Sequence, residues 1–218
     1  MKEFFKKIFT KENMKKFFFS FIWLMVLVFA LDIMSKWLVV NHFNRIPATE
    51  KAGTIQLIPD FLYIGLSYNK GAAWSLGANS QAGRIIFIVV SFVLGGGLIA
   101  YYAYASHKGK LNTVIKISLA LMIAGAIGNL IDRAFYWEST VGFSGVVDWI
   151  SVWFGSYHFP IFNLADSALV VGVAILLVYV IVESIKDAIK ASKEGQYKYS
   201  PKELKEAEKA KNEENKDK

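Results

Sequence analysis

Four aspartates stand where an apolar chain would not be expected to carry them. Asp32 and Lys36 lie in DIMSK, Asn129, Asp132 and Arg133 in GNLIDR, Asp148 in GVVDWI, and Asn163 and Asp166 in FNLAD. Asp32 and Lys36 are spaced i, i+4, so a helix puts them on one face. Gly125, Asn129, Asp132 and Arg133 also share a helical face, where Gly125 leaves room for a close neighbour. The chain has no cysteine, which removes thiol chemistry and disulfides. It has no Gly-x-Ser-x-Gly sequence and no histidine within its apolar blocks, which argues against a Ser-His-Asp site. His-x-x-x-His and Glu-x-x-His pairs are missing too, which argues against zinc. Carboxylates alone could hold Mg²⁺, but Lys36 and Arg133 already offset part of the negative charge. What remains is a pair of carboxylates sharing one proton. The ionised member takes a proton from water while its protonated partner hydrogen-bonds the scissile carbonyl. Such a pair titrates as a unit. Residue types alone leave open which two of the four aspartates form it.

The elements that would carry these residues are membrane spans. Of the 218 residues 54% are hydrophobic, and they gather into long blocks rather than an amphipathic pattern. Four blocks qualify, at about 17–40, 84–105, 111–131 and 164–185. Each has the roughly 20 residues needed to cross about 30 Å of hydrocarbon. The first has the lysine-rich start of a signal peptide, but its apolar run is too long and no small-x-small cleavage site follows. It reads as an uncleaved span.

Lysines set the orientation. Lys2, Lys6, Lys7, Lys11, Lys15 and Lys16 precede the first span, Lys108 and Lys110 sit between the second and third, and a lysine-rich tail follows the fourth. The positive-inside rule makes these regions, and both termini, cytoplasmic. The segment 134–163 has no Lys or Arg, and 41–83 has only Arg45, Lys51 and Lys70, so both read as outer loops. The net charge of +7 is then a topology signal, and no nucleic-acid partner is expected. The chain divides into a four-span membrane domain, 1–186, and a charged tail, 187–218. The tail is too poor in apolar residues to bury a core and suits disorder or a solvated helix.

With that topology the polar groups converge. Spans one and three run outward and carry their polar residues late, whereas span four runs inward and carries them early. All lie near the outer leaflet. Charged residues in spans are functional candidates by default. Each also has a plainer reading. Asp32 and Lys36 can be an intrahelical pair, Asp132 and Arg133 an ion-pair network, Asn129 and Asn163 satisfiers of helix ends, and Asp166 a cap favoured by the helix dipole. Their common depth is what the plainer readings leave unexplained. A small transporter or channel using these charges is the main alternative. It would call for polar groups on both leaflets, and the inner halves, such as LVVGVAILLVYV, are apolar. A non-enzymatic scaffold would leave four outer aspartates without a purpose.

Five motifs in order, DIMSK at 32–36, NKGAAWS at 69–75, GNLIDR at 128–133, VVDW at 146–149 and FNLADSAL at 162–169, resemble those of the lipoprotein signal peptidase family. This family, also called signal peptidase II, comprises aspartic proteases of the bacterial cytoplasmic membrane. The resemblance implies that Asp148 and Asp166 are catalytic. It implies that Asp32, Lys36, Asn69, Gly71, Asn129, Arg133 and Asn163 shape the site or hold substrate, with Asp132 a structural partner, while the spacing of Gly125 gives it a structural role in packing. It further implies removal of the signal peptide from diacylglyceryl-modified prolipoproteins, just before the lipidated cysteine, by activated water. No metal or other cofactor is implied; membrane lipid and the family's cyclic peptide inhibitors are the other expected partners. The connection YWESTVGFSG, within 134–145, looks longer than the family's usual one.

The fold class expected is therefore mainly α: four transmembrane helices with a small extracytoplasmic β-sheet. The sheet comes from the alternation in TIQLI and YIGLS, within 52–76, where Gly53 and Pro59 supply turns. Asn69 and Gly71 would sit at its rim, over the site.

Overall fold

The computed structural model describes residues 15–16, 19–44, 53–69, 81–135, 145–197, 205–206 and 209. Gly71 and most of the long connection before VVDW, 136–144, lie outside the described residues. Contacts divide the chain into Met1–Leu176 and Leu177–Lys218. The first unit holds the sheet and every site residue discussed below. In the second, the last helix continues with mostly exposed side chains.

Four long helices are present: α1, Ile22–Asn44; α2, Gln81–His107; α3, Thr113–Phe135; and α4, Leu164–Tyr197. Each contains a stretch long and apolar enough to cross a membrane. Their ends have local causes. Phe21 takes a left-handed φ of 58°, and α1 starts after it, at Ile22 rather than at 17. The α2 end is closed by a 6→1 bond from Lys110 N–H to the Ala105 carbonyl, 2.9 Å. This closure requires a left-handed residue, and Gly109 supplies it at φ 65°. Asn112 then caps α3, its Oδ1 accepting the Ile115 N–H at 2.9 Å. The α3 helix runs to Phe135, so Asp132 and Arg133 lie inside it, beyond the expected end at 131. The last helix extends past 185 to Tyr197.

Burial is inverted relative to a water-soluble protein. Large apolar residues such as Val26, Phe92 and Leu177 are exposed, while Asp32, Lys36, Ser118, Asn129, Asp132 and Asn163 are buried. A bilayer explains this, because lipid solvates leucine as well as a core does and polar groups must find partners inside. The central helix is α3, which packs on both α1 and α2. It also meets the start of α4 at glycines. A Cβ on Gly125 would collide with the Ala165 carbonyl oxygen and with Leu169, and one on Gly172 would lie 2.7 Å from Met122 Cγ. Ser118 Oγ donates to the Gly172 carbonyl across the same seam, 2.6 Å.

The sheet is open and antiparallel, in the order β1-β2-β3-β4, with β1 Ile55–Ile58, β2 Leu62–Asn69, β3 Val146–Phe154 and β4 Tyr157–His158. The two strands expected from 52–76 are β1 and β2. The sheet's centre is the β2–β3 pair, and β3 was not anticipated. Ser67 pairs with Asp148 and Asn69 with Val146, after an irregularity between Ile64 and Ser67. That bulge puts one extra residue into β2 and changes which of its side chains share a face with Asp148.

Candidate active site

Two backbone devices bring Asp148 and Asp166 together. Phe162 forms an isolated antiparallel bridge with Ile150, its carbonyl accepting from Trp149 and Ile150 and its N–H donating to the Ile150 carbonyl. Asp148 lies two residues from that bridge along β3, and Asp166 four residues from it, in the first turn of α4. The second device is the α4 start. Asn163 is the N-cap, its Oδ1 accepting the Asp166 N–H at 2.9 Å, while Asp166 Oδ2 accepts the Asn163 N–H at 3.2 Å. This reciprocal capping box holds the Asp166 carboxylate at the positive end of the helix.

Asn163 is the hub between the two carboxylates. Its Nδ2 donates to Asp148 Oδ1 at 2.7 Å, and lies 3.1 Å from Asn129 Oδ1 and 3.3 Å from the Val147 carbonyl. Asn129 donates in turn through Nδ2 to Asp166 Oδ1 at 2.7 Å. Asn69, at the end of β2, hydrogen-bonds the Asp148 side chain. Arg133 is braced on the Asn129 carbonyl at 3.2 Å.

Asp148 and Asp166 open onto one cavity of about 570 Å³, together with Asn69 and Arg133. The remaining wall is largely apolar and includes Val146, Phe159, Pro160, Ile161, Phe162, Val170 and Val171, along with Ser167. Val146, Phe162 and Ser167 fall within the quoted motifs, but none of these wall residues was named as a site residue. The signal was available in FPIF, an apolar aromatic run whose last residue opens FNLAD. A cavity lined by two carboxylates and by an apolar wall that includes Val170 and Val171 of α4 suits an amphipathic ligand.

Burial pushes the Asp148 carboxyl up from 3.8 to about 7, with repulsion from Asp166 adding to it and hydrogen bonds from Asn69 and Asn163 opposing it. Asp148 is only 3% exposed. A desolvated carboxyl beside a second one is the arrangement that holds a single proton near neutral pH.

The other expected site residues lie behind this pair. Asp32, Lys36 and Asp132 are fully buried, and none lines the cavity. Lys36 Nζ is 2.7 Å from both Asp32 Oδ2 and Asp132 Oδ2. Gly128 makes room for this cluster, since a Cβ there would stand 2.6 Å from Asp32 Oδ2. Gly125 belongs to the α3–α4 seam. Among the described residues no group of three or more His, Asp or Glu side chains is arranged to hold a metal ion.

Fold and site together define a membrane-embedded enzyme, and comparison with known proteins narrows the class. Residues 24–182 match the family model described as signal peptidase (SPase) II. The chain belongs to that family, and is thus a peptidase with several membrane-spanning helices. A lipoprotein signal peptidase of Listeria monocytogenes serotype 4a (strain HCC23) is 42% identical over 159 residues, which cover 73% of this chain and 91% of the relative. The lipoprotein signal peptidase of Bacillus pumilus (strain SAFR-032) is 37% identical over 156 residues, 72% of this chain and 88% of the relative. Two bacterial membrane enzymes solved by the in meso method are similar in structure. The one at 2.3 Å resolution has a TM-score of 0.59 and 26% identity, covering 75% of this chain and 88% of its own. The one at 1.9 Å has a TM-score of 0.56 and 30% identity, covering 73% and 90%.

Proposed function

We propose that the protein removes the signal peptide from diacylglyceryl-modified prolipoproteins, cutting just before the lipidated cysteine, with Asp148 and Asp166 activating the water. The observation that carries this reading is the shared cavity: two carboxylates, one raised to about 7, face an apolar wall of the kind an acylated substrate needs. Family membership supports the reaction, and the motif resemblance supports the choice of aspartates.

The chemistry follows the proton. Asp148, buried and next to Asp166, carries the shared proton and donates it in a hydrogen bond to the scissile carbonyl oxygen. Asp166, which accepts from Asn129 and from the Asn163 backbone, takes a proton from water as the water oxygen attacks the carbonyl carbon. The resulting tetrahedral intermediate breaks its C–N bond, and the proton held by Asp166 passes to the leaving amine of the lipidated cysteine. The carbonyl re-forms as the acid end of the signal peptide, and its proton returns to the pair. Asn163 and Asn129 hold the carboxylates in place through these steps, and Arg133 and Asn69, which line the same cavity, are placed to meet a substrate backbone. In this reading the enzyme works from the outer leaflet of the bacterial cytoplasmic membrane, with both termini inside, and the family's cyclic peptide inhibitors are further expected ligands.

The test is product analysis. Purified full-length protein in lipid nanodiscs is given a diacylglyceryl-modified prolipoprotein and the same precursor without the lipid. Intact-mass measurement should show one cut before the lipidated cysteine and no turnover of the unmodified precursor. Cleavage at another bond, or equal cleavage of both precursors, would contradict the proposed substrate.

A further inference from the structure

Lys36 is a buried cation surrounded by three side-chain oxygens. Its Nζ stands 2.7 Å from Asp32 Oδ2, 2.7 Å from Asp132 Oδ2 and 3.4 Å from Asn129 Oδ1. The partners reach onward in one direction. Asp32 Oδ1 accepts the Ala165 N–H at 2.9 Å, and Asp132 Oδ2 accepts the Val147 N–H at 3.2 Å. Ala165 immediately precedes Asp166, and Val147 immediately precedes Asp148. The third partner, Asn129, has its oxygen occupied by Lys36 and Asn163, so its Nδ2 is turned onto Asp166 Oδ1.

We infer that Lys36 is a positioning residue that aims both dyad carboxylates from behind, through a carboxylate clamp on the peptide N–H one residue upstream of each. The chain then reads α1, Lys36; two buried aspartates, one from α1 and one from α3; two backbone amides, one on α4 and one on β3; and finally Asp166 and Asp148. The inference rests on reading Asp148 and Asp166 as the catalytic pair. It departs from the view of Asp32 and Lys36 as substrate contacts, because both are fully buried and neither lines the cavity. It also gives Asp132 a task beyond ion pairing. A lysine suits this place because its charge sits on the one nitrogen that the three oxygens surround, whereas a guanidinium spreads its charge over a flat fork.

The geometry being defended is small. A misplacement of about 1 Å between catalytic groups costs on the order of a hundredfold in rate. Loss of the brace should therefore appear in kcat rather than in KM. The experiment uses the full-length protein and a lipid-modified prolipoprotein, with Lys36→Met, Lys36→Arg, Asp132→Asn and Asp132→Leu. Rates are referred to the monodisperse, folded fraction of each preparation. Lys36→Met and Lys36→Arg should each lose about a hundredfold in kcat while KM stays within about threefold. Asp132→Asn keeps an oxygen that can accept the Val147 N–H, and should retain about tenfold more activity than Asp132→Leu. That graded rescue is what a merely stabilising ion pair would not give. Asp132→Asn is the variant least prone to misfold, so it carries the test if Lys36→Met does not fold. The inference is overturned if kcat per folded molecule is unchanged in Asp132→Asn and Asp132→Leu alike. It is also overturned if Lys36→Met raises KM with kcat preserved, because that marks a substrate contact. Failure of the unmodified protein to cleave the precursor would instead overturn the proposed function.

Discussion

Asp148 is a carboxyl on a strand, 3% exposed, with a second carboxyl as its neighbour. Its rise from 3.8 to about 7 has two measurable consequences. In catalysis, the shared proton is lost as the pH passes about 7, so kcat/KM should fall by about tenfold per pH unit on the alkaline limb. In stability the sign runs the same way. The folded state binds the Asp148 proton more tightly than the unfolded chain does. The associated stability is complete below 3.8 and is lost as the pH climbs through about 7. Asp148→Asn removes that dependence. The variant should be at least as stable as the parent at pH 8, with the gap closing towards pH 5. The span from 3.8 to about 7 caps the gap at about 4 kcal/mol. Thermal unfolding of both proteins across that range checks it, and a variant less stable at pH 8 would contradict the assigned burial cost. Asp166 differs in kind, since its carboxylate also closes the α4 capping box.

At the scale of elements, the site depends on how closely α3 and α4 approach, since Asn129 sits on one and Asp166 on the other. Gly125 sets that approach, because any Cβ there meets the Ala165 backbone and Leu169. Gly125→Leu should destabilise the protein by about 1–3 kcal/mol and cut kcat with it. A thermal midpoint and rate equal to the parent's would show the seam to be looser than described. The helices themselves were legible in the sequence because a bilayer demands long apolar runs, and each of the four blocks falls largely within one of the four long helices, the last of which runs well past 185. The pair Asp32–Lys36 was legible for the same kind of reason, as an i, i+4 spacing. The Asp132–Lys36 pair was not, nor was the bond from Ala165 N–H to Asp32, because each needs two helices to be packed first. Strand β3 escaped notice because Val146, Val147 and Asp148 are buried in succession, which leaves no polar-apolar alternation to read. The strand that carries Asp148 was thus the least visible element, although VVDW itself stood out as a motif.

Among the described residues large apolar side chains are exposed, while four aspartates, three asparagines, one lysine and one arginine form a connected network. The proposal that this network faces outward rests on the lysine distribution, and the absence of cysteine makes it easy to test. Single cysteines at Ser156, in the β3–β4 turn, and at Lys108, after α2, should behave oppositely towards a membrane-impermeant maleimide. The first should react in intact cells, the second only after permeabilisation. The reverse pattern would put the sheet and the cavity on the cytoplasmic side, where a translocated precursor could not reach them. The central claim, that Asp148 and Asp166 share the work of cleavage, is tested most directly by the turnover of a lipid-modified prolipoprotein by purified, folded Asp148→Asn and Asp166→Asn. The prediction is loss of cleavage by at least about 10⁴-fold in each, as for other residues that act as a unit, with both proteins still folded. Substantial turnover by either variant would contradict it.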